Sequence, residues 1–222
     1  MTNDFPPRIG GIEGFVAQIC RLLDDVVVLT SREAGDRAHD ATLPYEVVRS
    51  GRVLLPTPAV GAQAVRLLRD HDADRVVFGA AAPLGLLGPT LRRAGAKQIL
   101  ALSHGHEVWW ARLPLSRTLL RRIGDGADHV AVISDYTRAR IAPVLSPAAR
   151  SALLTIPPPV DLAVFTPGAA GVQPGRCVAA ARLVRQKGLD TLLRGWARLG
   201  TQQGRELVIV GDGPDRRRLN RL

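Results

Sequence analysis

Seven short apolar runs punctuate the chain, at 25–30 (DVVVLT), 75–79 (RVVFG), 98–103 (QILALS), 129–133, 152–157 (ALLTIP), 177–181 (CVAAA) and 206–211 (ELVIVG). Each is bounded by turn residues and lacks an alternating polar face, the pattern of strands buried on both sides of a parallel sheet. Between them the period changes. Ile12, Phe15, Val16, Ile19 and Leu23 recur at helical spacing, giving one apolar stripe, and further helices are expected near 60–71, 84–95, 116–123, 134–145 and 188–199. Strand and helix in alternation predict an open, doubly wound α/β sheet.

One segment breaks the alternation. Residues 157–175, PPPVDLAVFTPGAAGVQPG, are rich in Pro and Gly and have no sustained period, so they read as a stiff linker between two α/β units. The expected organisation is a domain over 1–156, the linker over 157–175, and the start of a second domain over 176–222. The second shows only two strands and one full helix, too little to cover a sheet on both faces. The opening MTNDFPPRIGG reads as the loop after a first strand, with that strand missing.

Composition narrows the class. With 46% hydrophobic and 23% charged residues among 222, the chain is a globular one. Its net charge of +10 favours an anionic partner: nucleic acid, an acidic membrane or a phosphorylated substrate. Aromatics are only 4% and are not interleaved with the arginines, which argues against single-strand nucleic-acid binding. Cys20 and Cys177 sit in apolar runs without a partner at metal or redox spacing, and read as buried thiols in a reducing cytoplasm. The longest uncharged stretch, 76–91, is broken by Gly and Pro and too short to span a bilayer, so any membrane contact is expected to be peripheral.

In open α/β sheets, ligands gather at the carboxyl ends of the strands. Four candidates fall there. Gly10 and Gly11 precede a helix, forming either a tight turn or a place where an anion approaches the backbone. SHGHEVWW, 103–110, concentrates His104, His106, Glu107, Trp109 and Trp110; a metal pair would need a third ligand, and none stands at a convincing spacing. Imidazole, carboxylate and a flat apolar wall suit a polyol better. Ser134 or Asp135 can cap the helix after the 129–133 strand. Finally Arg182 and Lys187 flank a helix entry after CVAAA, in a chain whose only other lysine is Lys97; they make either an anion site or a solvated turn.

In order along the chain, PPRIGGIEGF, SHGHE, VISDYTRARI, IPPPVDLAVFTP, ARLVRQKGLDTLL and LVIVGDGP resemble the retaining GT-B glycosyltransferases of glycosyltransferase family 4. TNDFPPRIGG, FGAAAPLGLL and HGHEVWWARLPLSR extend the likeness to actinobacterial mannosyltransferases acting on phosphatidylinositol mannosides. The resemblance implies two Rossmann-like, doubly wound parallel-sheet domains, the second incomplete here. It implies a nucleotide-sugar donor, GDP-mannose, no metal and no further cofactor, and a lipid acceptor at an anionic membrane surface. By the same resemblance Arg182 and Lys187 clamp the donor diphosphate, and Gly10 and Gly11 close on it from the other domain. His104 contacts the donor sugar near the reacting carbon, His106, Glu107 and Trp109 line the acceptor side, and Gly211 and Gly213 shape the loop beside the nucleotide. The leaving phosphate itself helps to deprotonate the acceptor, so electrostatic stabilisation of the departing diphosphate is the principal catalytic effect. The basic first domain is expected to lie on the inner face of the plasma membrane, with Arg112, Arg117, Arg121 and Arg122 as contacts.

Two departures stand out. Pro159 occupies the place where the family has a glycine before Val-Asp, which stiffens the hinge. Family members also continue well past residue 222, including a pair of glutamates that hold the donor, so the chain is expected to be truncated at both ends and to turn over poorly or not at all. Other readings are transfer of another hexose to a different acceptor, or a non-catalytic basic remnant that binds anionic membrane or nucleic acid.

Overall fold

In the computed structural model, which describes residues 1–166, 173–200 and 204–222, the chain divides into two compact units, Met1–Val160 and Asp161–Leu222. The break falls within the stretch read as a linker; residues 167–172 of that stretch lie outside the described residues.

The first unit carries helix α1 (Gly11–Arg21), strand β1 (Val27–Thr30), α2 (Asp36–Asp40), β2 (Glu46–Arg49), α3 (Pro58–Asp70), β3 (Arg75–Phe78), α4 (Gly88–Arg93) and β4 (Gln98–Ser103). It continues through α5 (Glu107–Trp110), α6 (Pro114–Gly126), β5 (His129–Val132), α7 (Asp135–Ile141), α8 (Pro147–Ser151) and β6 (Leu153–Thr155). All pairings are parallel: β1 with β2, and β3-β4-β5-β6 in that order. Residues 1–2 join the two sheets. The Thr2 N–H donates to Leu29 O at 3.0 Å, the Gly79 N–H donates to Met1 O at 2.8 Å, and the Met1 amine donates to Val77 O at 2.7 Å. The place expected for a first strand is thus entered by two residues that bond on both sides.

The core follows from the apolar runs. Phe78, Ile99, Ala101, Val130 and Val132 on the strands pack with Leu84, Leu91, Leu120, Ile123 and Ile141 from the helices on one side. On the other, α1 buries Phe15, Val16, Ala17 and Cys20. Helix starts are set locally. Thr57 accepts from the Val60 N–H and is followed by Pro58, and Ser134 accepts from the Thr137 N–H at 3.3 Å, so Ser134 rather than Asp135 caps α7.

The apolar runs locate seven of the strands, but β2 is absent from that reading. Val47 and Val48 sit between Glu46 and Arg49 on a half-buried edge, too short an apolar run to register. The helices expected at 84–95 and 134–145 are each split: a 3₁₀ turn at Leu84–Leu87 leads into α4, and another at Ala142–Val144 ends α7.

The second unit contains β7 (Arg176–Ala180), a 3₁₀ turn (Arg185–Lys187), α9 (Leu189–Arg198), β8 (Glu206–Val210) and α10 (Arg216–Leu219), with β7 and β8 parallel. Its buried centre is Leu183, Leu189 and Leu219, flanked by Ala179, Leu193 and Ile209. A two-stranded sheet under so small a core leaves β7 open, and this corrects the reading of Cys177: it is exposed, whereas Cys20 is buried as expected.

Candidate functional site

The carboxyl ends of the central strands in the first unit bring one set of candidates together. His104 follows β4 directly, and its Nε2 lies 2.7 Å from Gly79 O, the residue that follows β3. A carbonyl only accepts, so Nε2 carries the proton and the neutral ring keeps Nδ1 as an acceptor. The edge of Phe15 from α1 meets the ring at a centroid distance of 5.0 Å. Burial pushes the imidazole below its ordinary pKa, against the opposing pull of the Gly79 carbonyl and Glu107, so His104 is neutral at pH 7.

Gly105 has φ +96°, a left-handed turn that lets the chain fold back beside Thr137 of α7 and start α5. Behind that turn lies Glu107, wholly buried, with Oε2 accepting from Ser103 Oγ at 2.9 Å and Oε1 3.3 Å from His106 Nε2. Glu107, expected on the acceptor side, has its carboxylate behind the loop, where Oε2 ties down Ser103 and Oε1 makes no hydrogen bond among the described residues. His106 itself is exposed, and Trp109 is exposed with the Arg112 guanidinium 4.4 Å from its ring centroid.

Gly10 and Gly11 begin α1 on the same unit and have different reasons to be glycine. A Cβ on Gly10 would fall 2.1 Å from Glu13 Oε2, and Glu13 is buried and takes the Arg8 Nε–H at 2.5 Å. Arg8 also pairs with Asp4 and, at 3.6 Å, with Glu33, so the loop is braced from behind. A Cβ on Gly11 would meet no atom within 4 Å. The space in front of the first turn of α1 is open.

The second unit gathers the other set. Arg182 and Lys187 are both exposed after β7, and among the described residues neither has a carboxylate within 4.0 Å. Lys187 ends the 3₁₀ turn that leads into α9. The loop after β8 lies against the one after β7: the Leu183 N–H donates to Asp212 O at 2.9 Å and the Asp215 N–H to Leu183 O at 3.0 Å. Such closeness excludes side chains. A Cβ on Gly211 would sit 1.9 Å from Ala181 O and one on Gly213 2.5 Å from Leu183 O, so both glycines shape the loop next to Arg182.

Residues that the sequence reading passed over are the supports: Gly79, Phe15, Ser103, Arg8 and Glu13. Gly79 was legible in principle, because it stands at the carboxyl end of a strand. Among the described residues no group of three or more His, Cys, Asp or Glu is placed to hold a metal ion.

Comparison with known proteins gives the arrangement its context. The family model described as Glycosyltransferase Family 4 matches residues 9–164. The whole chain aligns, at 43% identity, with 62% of a GDP-mannose-dependent alpha-(1-6)-phosphatidylinositol monomannoside mannosyltransferase of Mycolicibacterium smegmatis. It aligns at 38% identity with 62% of the corresponding monoacylated-substrate mannosyltransferase of Corynebacterium glutamicum. The chain therefore spans 62% of the length of these curated relatives. Among solved structures, Anabaena HepE in complex with UDP and glucose is similar in fold, with a TM-score of 0.69 at 14% identity over 99% of this chain and 63% of that one. A glycosyltransferase from Rickettsia africae gives a TM-score of 0.68 at 13% identity, over 95% of this chain and 57% of that one. The parallel α/β fold is that of GT-B glycosyltransferases. With a family match over residues 9–164 and 43% identity along the whole of this chain to a mannosyltransferase, the chain belongs to Glycosyltransferase Family 4.

Proposed function

We propose that the protein transfers mannose from GDP-mannose to a phosphatidylinositol mannoside with retention of configuration. The observation that carries this reading is the similarity, at 38 to 43% identity over the entire chain, to mannosyltransferases named for that donor and acceptor. The first unit serves the acceptor side and the second the nucleotide sugar.

The site chemistry agrees. Arg182 and Lys187 carry unpaired positive charge beside a loop kept close by Gly211 and Gly213, which suits a diphosphate whose negative charge grows as the glycosidic bond breaks. In the first unit, the open space at Gly11 admits an anionic group to the N–H donors of α1. His104 Nδ1, left free by the Nε2 bond to Gly79 O, accepts a hydroxyl of the donor sugar near the reacting carbon. His106 and Trp109 offer a hydrogen-bonding group and a flat face to the acceptor, while Glu107 holds the loop that presents them. The departing phosphate takes the acceptor proton, so no carboxylate nucleophile is needed.

The test is transfer of radiolabelled mannose from GDP-mannose into phosphatidylinositol mannoside, run beside labelled UDP-glucose. Label from GDP-mannose alone supports the reading, and label from UDP-glucose overturns it. Nucleotide binding is measured alongside: GDP-mannose is expected to raise the melting temperature, and Lys187→Ala to abolish the rise.

A further inference from the structure

We propose that Arg218 of α10 is a positioning residue for donor binding: it holds the carboxylates of Asp190 and Asp215, and so leaves Arg182 and Lys187 uncompensated for a diphosphate. This inference rests on the reading of those two cations as the diphosphate ligands and deepens it by naming the group that keeps them free.

Three stretches of the second unit meet at this arginine. The loop after β7 carries Arg182, the loop after β8 carries Asp212 and Asp215, and the turn into α9 carries Lys187 and then Asp190. Backbone bonds join the first two at Leu183, which takes the Asp215 N–H and gives its own to Asp212 O. Arg218 adds the third: Nη2 donates to Asp215 Oδ2 at 2.9 Å and Nη1 to Asp190 Oδ2 at 3.4 Å. Arg216 and Arg217 of the same helix are exposed, whereas Arg218 is half-buried beside Leu219 of the unit's core. Arg216 faces Asp212 at 3.7 Å, an exposed pair of small consequence.

The charges give the arrangement its purpose. Asp190 stands three residues after Lys187 and is the carboxylate closest to it in the chain, the natural counter-ion of the lysine. It bonds to Arg218 instead, and among the described residues Lys187 has no carboxylate within 4.0 Å. The side chains of Asp190 and Asp215 are only 26% and 17% exposed, so water screens them incompletely. Left unneutralised, each would repel a diphosphate held at Arg182 and Lys187. As a device for stability the node is poor. One of its bonds is long, and the Arg218 Nε is enclosed without a partner among the described residues. Arg218 therefore acts through Asp190, Asp215 and the two loops, without touching the donor.

Calorimetric titration of the whole chain with GDP at low salt tests this without any turnover. Arg218→Met keeps an apolar stem over Leu219 and removes the charge; it should raise the Kd about tenfold while leaving the melting temperature nearly unchanged. Arg218→Met/Asp190→Asn removes the carboxylate that the first change sets free, and should recover most of the lost affinity. Arg217→Met takes the same charge from the same helix without releasing a carboxylate, and should bind as the wild type does. The loss in Arg218→Met should also narrow as salt is raised, which a purely structural defect would not show. Wild-type affinity in Arg218→Met, no recovery in the double variant, or an equal loss in Arg217→Met would overturn the proposal. Should the chain bind UDP in place of GDP, the assigned donor fails, yet the same variants titrated with UDP still decide the role of Arg218. A wild-type chain that binds none of GDP, UDP and inorganic pyrophosphate has no diphosphate site for Arg218 to serve, and overturns the inference outright.

Discussion

His104 and the two glycines at the start of α1 show how much a single position can decide. Burial lowers the folded-state pKa of His104 below that of the unfolded chain, so on acidification the unfolded chain takes up the proton first. Stability from this residue is therefore present above the unfolded value of about 6.5 and is lost as pH falls below it toward the folded value. Urea titrations at pH 7.5 and 5.5 should show an acid loss in the wild type that is smaller in His104→Gln, whose amide donates to Gly79 O and does not titrate. Protonation also turns Nδ1 from acceptor to donor, so kcat/KM for mannosyl transfer should fall on the acid side with a midpoint below the ordinary histidine value. The glycines separate folding from binding. Gly10→Ala drives a Cβ into the braced Glu13 carboxylate and should cost about 1–3 kcal/mol. Gly11→Ala meets nothing in the protein and replaces the poorest helix former but proline with the best, so it should raise stability by about 0.5–1 kcal/mol. If the donor uses that space, the same variant raises the KM for GDP-mannose. Thermal melts and donor titrations on the two variants check both halves.

At the scale of elements, α6 is the plainest case of one helix with two unlike faces, one buried and one exposed. Leu120 is 1% exposed and packed in the main core, so Leu120→Ala should cost about 2–5 kcal/mol, whereas Leu115→Ala on the outer face should leave the urea midpoint unchanged. A helix near 116–123 was legible in the sequence, but which of its faces meets the core is seen only in the packing of Leu120, Ile123 and Gly124. Most of the strands were legible too. Runs such as QILALS and HVAV are apolar on both faces because helices cover both faces, and they stand out for that reason. β2 did not, since an edge strand needs only a half-buried face, and Val47 and Val48 alone carry no period. Nor does sequence disclose depth. Glu107 stands between residues read from the sequence as a candidate site, yet only the structure shows its carboxylate wholly buried and accepting from Ser103 Oγ. The reading of Cys177 erred in the opposite sense: CVAAA is as apolar as the core strands, but burial requires neighbouring layers, and the described part of the second unit has too few.

Across the whole molecule, the two units differ in how much holds them together, and that difference predicts how the chain unfolds. The first has a contiguous core drawn from its strands and from helices on both sides, while the second rests on Leu183, Leu189 and Leu219 with a two-stranded sheet. Cooperative unfolding scales with the surface a core buries, so the second unit should melt first and the transition should not be two-state. The cysteines report on the units separately. Cys177, exposed on β7, should react with a thiol reagent at the rate of a free thiol in the native protein, and Cys20, buried under α1, only once the first unit opens. In a urea series, Cys20 labelling should therefore begin at a higher concentration than the loss of α9 helicity followed through Trp196. GDP-mannose adds a decisive arm. If Arg182 and Lys187 bind its diphosphate, ligand stabilises the unit that contains them by an amount set by concentration over Kd, about 2.7 kcal/mol at a hundredfold excess over Kd. The Trp196 transition should then move to higher urea while Cys20 labelling stays where it was. A shift in Cys20 labelling with none at Trp196 would place the principal donor contacts in the first unit and remove the role assigned to Lys187.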